Sequence, residues 1–303
     1  MVRKHLFINS FIVLVLVFAV IGNSKAASES NGANEEASSE YKLVWAEEFN
    51  KNGAPDPCNW TYERGFVRNQ ELQWYQSENA KCENGLLVIE GKREKNANPR
   101  YNPNSNSWQQ SREFIEYTST SMTTRGLHSW MYGRFEMRGR IDTRAGLWPA
   151  FWTLGVQGPW PANGEVDIME YYRGVLLANA AWAGQRRGSA TWDSSRKPIT
   201  EFNDPNWSDK FHVWRMDWDV NDMKLYVDDM LLNEVDLTKT INAAQRVSSL
   251  RGTSQNAQGD NPFHQPHYII LNLAIGGTQG GDPSKTEFPA KFEVDYVRIY
   301  QKE

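Results

Sequence analysis

Hydrophobic and polar residues alternate in short runs from residue 41 to the end of the chain, and Gly, Pro, Asn and Asp separate the runs. Runs with this period of two, rich in β-branched and aromatic residues, predict β-strands. They lie at residues 86–91, 132–141, 166–172, 212–218, 223–227, 268–273 and 292–300. Only residues 236–244 predict a helical turn or two, because no segment has a long apolar period of 3.6 residues. The pattern predicts one all-β domain over residues 41–303, a sandwich or jelly roll.

The beginning of the chain follows a different pattern. Basic residues 3–5 precede an unbroken apolar run at residues 11–21, and small residues occupy positions 24 and 26. This order is typical of a secretory signal peptide, which we place at residues 1–26. A run of this length is too short for a membrane anchor, because at ~1.5 Å per residue a helix needs about 20 apolar residues to cross a bilayer.

Residues 27–40 are small, polar and acidic and contain no aromatic side chain. This composition predicts a disordered leader ahead of the folded domain. We expect the protein to be exported to the periplasm, the cell surface or the medium. We also expect a monomer with no membrane span in the mature chain.

The composition narrows the candidate functions. The chain has 13 Trp, as many as Phe, and flat aromatic faces suit sugars, nucleobases and cations. A net charge of −4 disfavours nucleic acid as a partner, because proteins that bind phosphate backbones carry a basic surplus. The 2 Cys and 5 His argue against zinc or iron chemistry. In an oxidising compartment Cys58 and Cys82 form either a disulfide or two free thiols, and the sequence leaves both open.

One predicted strand, at residues 132–141, is charged on one face and apolar on the other. Positions 134, 136, 138 and 140 are Arg, Glu, Arg and Arg, whereas the odd positions are Gly, Phe, Met, Gly and Ile. Side chains alternate across a strand, so the four charges share a face. That face is either an ordinary solvated surface or one side of a polar groove, in which Arg134 would contact a ligand.

The strand at residues 164–172 contains three acidic residues. Glu165 and Asp167 are two apart and point to the same side of a strand. Strict alternation would direct Glu170 into the core, where an isolated carboxylate costs several kcal/mol. We therefore predict a one-residue bulge at 168–169 that returns Glu170 to the acidic face.

Three neighbouring carboxylates repel one another, so at least one pKa should be raised. Glycoside hydrolysis uses this asymmetry, because one carboxylate attacks the sugar while a protonated carboxylic acid supplies a proton to the leaving oxygen. A solvated acidic strand is the alternative for the bare pattern. The surrounding aromatic residues favour the hydrolase, because indole faces stack on sugar rings; they are Trp148, Trp152, Trp160, Trp182 and Trp192.

These residues together resemble glycoside hydrolase family 16, in its laminarinase-like branch. The resemblance extends over nearly all of residues 41–303 and rests on segments 45–50, 69–75, 132–136, 146–152, 164–172, 272–277 and 295–300. It implies a concanavalin-like β-jelly roll whose concave sheet carries the substrate cleft. It also implies cleavage of internal β-glycosidic bonds with retention of configuration and without a catalytic cofactor.

The resemblance also implies roles for individual residues. Glu165 becomes the nucleophile, Glu170 the general acid and base, and Asp167 the residue that orients the nucleophile. Glu48 and Asp295 match a structural calcium site, with the Gly91 carbonyl as a further oxygen ligand. The substrate-binding candidates are Asn69, Arg134, Trp148, Trp152, Trp160, Trp182 and Gln279.

The chain departs from the pattern of this family at two places that bear on the substrate. Many β-1,3-glucanases of this branch have a His after the acidic motif, where this chain has Trp182, and the Gly-rich run 276–281 lacks an aromatic residue that some carry. We expect a β-1,3- or mixed-linkage β-1,3/1,4-glucan as substrate, with an endo-β-galactosidase acting on galactans, keratan or host O-glycans as the alternative. A transglycosylase and a non-catalytic glycan-binding jelly roll are further alternatives. The three intact acids argue against the last of these.

Overall fold

The computed structural model describes residues 41–243 and 259–303. Within these ranges the chain folds into two β-sheets that enclose one large hydrophobic core. The strands in chain order are β1 (Tyr41–Glu47), β2 (Thr61–Tyr62), β3 (Gln73–Tyr75), β4 (Ala80–Glu83), β5 (Leu86–Ala97), β6 (Phe114–Ser119), β7 (Ser121–Thr123), β8 (Gly133–Ile141), β9 (Leu147–Gly155), β10 (Glu165–Tyr172), β11 (Val175–Ala183), β12 (Ala190–Pro198), β13 (His212–Trp218), β14 (Asp222–Val227), β15 (Met230–Asp236), β16 (His267–Ile275) and β17 (Ala290–Lys302).

The two sheets differ in size. The larger has ten strands in the described ranges, in the order β15-β14-β13-β8-β17-β5-β6-β3, with β1 beside β17 and β4 beside β5. Over the same residues the smaller sheet has seven strands, in the order β12-β11-β10-β9-β16-β7-β2. This arrangement confirms the predicted all-β sandwich, and each predicted strand is present with bounds that differ by a few residues.

Helical structure is confined to short turns in the described ranges. They are the 3-10 turns Ser77–Asn79, Ile199–Phe202, Trp207–Asp209 and Leu237–Lys239, and the α-helical turn Gly277–Gly280. The predicted helical segment at 236–244 is thus a single turn, and its last residue lies outside the described residues. No described helix is long and apolar enough to span a membrane. The predicted signal peptide and leader, residues 1–40, also lie outside the described residues.

Much of the Trp surplus belongs to the core between the sheets. Trp60, Trp214 and Trp218 are almost fully buried, and Trp207 is 4% exposed. Trp207 stacks on His212, with ring centroids 4.0 Å apart. These indoles contribute to stability through burial, so the number of Trp residues alone does not report a sugar-binding surface.

The charged face of β8 lies on the outer side of the larger sheet. The odd positions of β8 are buried, and the arginines form ion pairs with neighbouring strands. Arg134 donates to Asp217 at 2.7 and 3.0 Å, and Arg140 donates to Glu293 at 2.7 Å. The prediction that Arg134 contacts substrate is therefore wrong. The alternation of a charged strand face is the same on either sheet, so the sequence does not show which sheet carries it. Here carboxylates on neighbouring strands pair with the arginines.

The predicted calcium ligands are engaged in ion pairs. Both carboxylate oxygens of Glu48 accept from Arg298, at 2.7 and 2.9 Å, and Asp295 accepts from Arg138 at 2.6 Å. The described residues contain no cluster of three or more His, Cys, Asp or Glu that could hold a metal. Because arginine already neutralises each carboxylate, these residues do not fit a calcium site.

The two cysteines are free thiols rather than a disulfide. Cys58 is exposed, whereas Cys82 on β4 packs in the core. Burial, followed by the charge of Glu47, raises the pKa of the Cys82 thiol to about 11. A buried thiol of this kind is unreactive, so Cys82 acts as a small core residue.

Candidate active site

The acidic strand β10 contains the predicted bulge. Asp167 pairs with Asn179 of β11, but the next paired residue is Glu170, opposite Leu177, so the register shifts between them. Ile168 and Met169 are both fully buried in the core. The extra residue restores Glu170 to the outer face, so all three acids line the same cleft.

The cleft crosses the outer face of the smaller sheet and has a volume of about 580 Å³. Five substrate-binding candidates line it, namely Asn69, Trp148, Trp152, Trp160 and Gln279. Several further residues line it that we did not predict; among them are Arg68, Glu71, Tyr172, Asn179, Ser194, Arg196 and Asn272. Trp192, noted for its position near the acidic strand, also lines the cleft and is 46% exposed.

Trp182 faces the other way. It lies three residues after Asn179 on β11, so its side chain points into the sandwich, where it packs against the core and Phe263 at 6.5 Å. The prediction that Trp182 binds substrate is therefore wrong. At this level of the sheet the cleft side of β11 carries Ala181, which pairs with Glu165, so the indole does not narrow the cleft.

Indole and amide N–H groups donate hydrogen bonds to the carboxyl groups of the three acids. Trp148 Nε1 donates to Glu170 Oε1 at 2.7 Å, and Trp160 Nε1 donates to Glu165 Oε2 at 2.7 Å. Asn179 Nδ2 donates to Asp167 Oδ2 at 2.9 Å and to Glu170 Oε2 at 3.3 Å. These donors fix the orientation of each carboxyl group and favour its ionised form.

Burial and mutual repulsion oppose ionisation of the acids. Burial, followed by the charge of Asp167, raises the pKa of Glu165 to about 8. Burial raises the pKa of Asp167 to about 6, against the effect of the Asn179 hydrogen bond. Burial, then the charge of Asp167, raises the pKa of Glu170 well above its usual value. Burial, together with repulsion at the two glutamates, therefore raises all three pKa values, which favours a state with one carboxyl group of the neighbouring pair Glu165 and Asp167 protonated and the other ionised.

A buried hydrogen-bond network supports the floor of the cleft. Trp152 Nε1 donates to Asn272 Oδ1 at 2.7 Å, and Asn272 Nδ2 donates to the Tyr75 hydroxyl at 3.1 Å. The Tyr75 hydroxyl in turn donates a hydrogen bond to the carboxyl group of Glu71. Above this floor the Arg68 guanidinium lies 5.2 Å from the centre of the Trp152 ring. Trp152 is 8% exposed, so it acts as a braced part of the floor.

The loop that carries Arg68 and Asn69 is closely packed. Asn69 and Gln70 both have positive φ, at 54° and 51°. Arg112 donates to the Gln70 carbonyl at 2.8 Å, and Thr278 N donates to the Asn69 carbonyl at 2.9 Å. Gly277 permits this approach, because a Cβ there would lie 2.8 Å from the Asn69 carbonyl oxygen. Strained backbone of this kind is common beside functional sites.

Comparison with known proteins identifies the family. The profile of glycosyl hydrolases family 16 matches residues 69–298. The chain belongs to glycosyl hydrolase family 16. It is therefore a glycoside hydrolase of the jelly-roll type, as the sequence predicted. Enzymes of this family need no catalytic cofactor.

Individual members of family 16 are similar over most of the chain. A β-glucanase of Rhodothermus marinus is 34% identical, over 94% of this chain and 93% of the relative. A keratan-sulfate endo-1,4-β-galactosidase of Sphingobacterium multivorum is 28% identical, over 93% of this chain and 60% of the relative. A solved structure from work on mucin endo-O-glycanases of the human gut microbiota is 36% identical, with a TM-score of 0.75 over 87% of this chain and 91% of that one.

Proposed function

We propose that this family 16 enzyme is exported and cleaves internal β-glycosidic bonds with retention of configuration. The observation that carries the proposal is the β10 bulge, which brings Glu165, Asp167 and Glu170 onto one face of the cleft. A binding module without catalysis has no need for three crowded carboxyl groups with raised pKa values.

The reaction follows from the position of each acid. The Glu165 carboxylate attacks the anomeric carbon and the glycosidic C–O bond breaks, while Glu170 transfers its proton to the leaving oxygen. Glu170, now a carboxylate, takes a proton from water. The water oxygen then attacks the anomeric carbon and releases Glu165. Asp167 lies between them, and when it takes the proton of the pair, Glu165 is ionised and able to attack.

The first substrate candidate is a β-1,3- or mixed-linkage β-1,3/1,4-glucan. Support comes from the β-glucanase of Rhodothermus marinus, which is similar over nearly the full length of both chains. Trp182 packs in the core and does not narrow the cleft, and the neighbouring Ala181, which pairs with Glu165, is small, so the absence of the glucanase His does not disfavour a glucan.

The second candidate is an endo-β-galactosidase that acts on galactans, keratan or O-glycans. Support comes from the similarity to the solved structure from work on mucin endo-O-glycanases and to the keratan-sulfate endo-1,4-β-galactosidase of Sphingobacterium multivorum. Both candidates use the same acids, so the distinction lies in the side chains that contact the sugars on either side of the cleavage point.

Purified enzyme incubated with laminarin, lichenan, agarose, keratan sulfate and mucin O-glycans tests the proposal. We expect oligosaccharides of intermediate size from one class of substrate at early times, because an endo-enzyme cuts within the chain. Glu165→Gln should fold but lose nearly all turnover. Products longer than the starting oligosaccharide would indicate transglycosylation instead, and wild-type rates in Glu165→Gln would contradict the role of that residue.

A further inference from the structure

Three cross-strand rows connect the acids to the edge of the smaller sheet. Glu165 pairs with Ala181, which pairs with Trp192 on β12, and Asp167 connects through Asn179 to Ser194. In the third row Glu170 pairs with Leu177, and Leu177 pairs with Arg196. Adjacent strands are about 4.8 Å apart, so the Cα atom of Arg196 lies roughly 10 Å from that of Glu170 on the same face.

Arg196 differs from the other arginine of the cleft in its partners. Arg68 forms a close ion pair with Glu63. Among the described residues no ion pair involves Arg196, which is exposed and lines the cleft. Its contacts are with Tyr172, whose ring centre is 5.9 Å from the guanidinium carbon and whose hydroxyl accepts a hydrogen bond. Its charge also acts on Glu170, where it partly opposes the rise in pKa that burial causes, and the guanidinium is open to solvent at this end of the cleft.

The opposite side of β12 is already occupied. Asp193 accepts a hydrogen bond from Asn233 at 3.1 Å, and Lys197 forms an ion pair with Glu201 at 3.2 Å. Arg196 shares the free side with Ser194 and the exposed Trp192. This edge strand therefore presents a stacking surface, a hydroxyl and a guanidinium in line along the cleft.

We propose that Arg196 binds an anionic substituent of the glycan, a sulfate ester or a carboxylate, on a sugar next to the cleavage point. The inference rests on the proposed endo-glycanase function and names the substrate class within it. It favours the second substrate candidate, because β-glucans carry no charged groups.

Charge recognition and hydroxyl recognition by Arg196 predict different results. A guanidinium makes paired hydrogen bonds with the oxygens of a sulfate or carboxylate, and these bonds are stronger than those to a neutral hydroxyl. An ionic contact at an open cleft also weakens as salt is added, whereas a contact with a hydroxyl does not. The ratio of kcat/KM for charged and uncharged forms of one substrate therefore isolates the proposed interaction.

The test uses matched pairs of substrates at low and high salt. The pairs are keratan sulfate and its chemically desulfated form, a sialylated and a desialylated O-glycan, and sulfated laminarin with native laminarin. The first and third pairs report sulfate and the second reports carboxylate. Variants are Arg196→Gln, Arg196→Lys and the control Lys197→Gln, which removes a neighbouring charge from the opposite side of β12.

We expect the wild type to prefer the charged member of at least one pair by about tenfold at low salt, and the preference to shrink at high salt. Arg196→Gln should bring the ratio to within about twofold of one, Arg196→Lys should retain part of it, and Lys197→Gln should keep it. A wild-type ratio of one or less in every pair, or equal ratios in Arg196→Gln and Lys197→Gln, would overturn the proposal.

Failure of the proposed function is distinguishable from failure of this inference. If the wild type cuts neither member of any pair, the endo-glycanase proposal is wrong. Titration calorimetry with the charged and uncharged oligosaccharides then decides the role of Arg196. Tighter binding of the charged form that is lost in Arg196→Gln supports it, and equal binding of both forms contradicts it.

Discussion

The indole Nε1 of Trp148 donates a 2.7 Å hydrogen bond to Oε1 of Glu170. The bond stabilises the ionised carboxylate, and it opposes the rise in the pKa of Glu170 that burial and the charge of Asp167 cause. Trp148 also packs against Tyr172, with ring centroids 5.5 Å apart. An aromatic residue that resembles a sugar platform in the sequence therefore also regulates the acid.

Trp148→Phe is expected to move the alkaline limb of the pH profile of kcat/KM to higher pH. Loss of the donor disfavours the ionised form of Glu170 and raises its pKa further. Because such a hydrogen bond to a charged group is worth about 1.5 kcal/mol, the limb should move by about one pH unit. Trp152→Phe is the control, because its Nε1 donates to Asn272 and not to an acid. Equal shifts in both variants would contradict the specific role of Trp148.

Glu165→Gln is expected to stabilise the fold at neutral and higher pH. Burial, then the charge of Asp167, raises the pKa of Glu165 to about 8. A carboxyl group with a higher pKa in the folded state favours folding at low pH, and the free energy of unfolding then falls as pH rises from about 4.5 through about 8.

Gln cannot ionise, so this loss of stability disappears in the variant. After allowance for solvent screening in an open cleft, we expect a gain of roughly 1–3 kcal/mol at about pH 8 and little difference at about pH 4. Urea unfolding of wild type and variant at both pH values measures this difference in the free energy of unfolding. Glu78→Gln, at an exposed position, is the control. A variant that is less stable than wild type at the higher pH would refute the raised pKa.

Gly277→Ala is expected to displace the loop that carries Arg68 and Asn69. The new Cβ would lie 2.8 Å from the Asn69 carbonyl oxygen at φ +71°, so the loop must shift. We expect kcat/KM to fall by about tenfold or more, because small displacements of groups that position a substrate are costly. Gly174→Ala is a matched control, since it has φ +80° but no atom within 4 Å of the added Cβ.

Gly174→Ala should cost about 1 kcal/mol of stability from backbone strain and leave kcat/KM near the wild-type value. Thermal unfolding and steady-state kinetics of both variants separate strain from displacement. The close packing of the loop would have no catalytic role if Gly277→Ala lost stability only.

Trp182→Ala should lower the stability of the fold, whereas Trp192→Ala should weaken substrate binding. Trp182 packs into the core, so its truncation should lower the free energy of unfolding by roughly 2–4 kcal/mol. Trp192 is 46% exposed in the cleft, so Trp192→Ala should raise KM by about threefold to tenfold with little change in stability. The reverse outcome would show that β11 and β12 present these residues on other faces.

The strand pattern and the bulge were predictable because they follow from a conflict in the sequence itself. Val166 and Ile168 require the core, and Glu170 at the next even position cannot join them without an uncompensated charge. An extra residue resolves this conflict locally, and the register shift between Asp167 and Glu170 shows where it is inserted. Strand alternation alone places Trp148 and Trp152, four residues apart, on one face, but it does not show their role as hydrogen-bond donors.

The remaining site residues depend on contacts between distant segments. The strand around Trp182 is rich in Ala, so alternation gave no sign of which side faces the cleft. Arg134 and Glu48 were misassigned because the sequence does not show that Asp217 and Arg298 neutralise them. Asn179 was missed because its partner Asp167 lies on the neighbouring strand β10, and Arg68 was missed because the Trp152 ring that it lies over belongs to β9.

The most direct test of the central claim is the anomeric configuration of glycosyl azide formed from an activated substrate. In Glu170→Ala, azide can replace water in attack on the Glu165 ester, so the product should be the β-glycosyl azide. In Glu165→Ala, azide replaces the nucleophile itself and should give the α-product. Assignment by nuclear magnetic resonance of β-azide from Glu165→Ala, or of no azide adduct from Glu170→Ala, would contradict the roles given to these two acids.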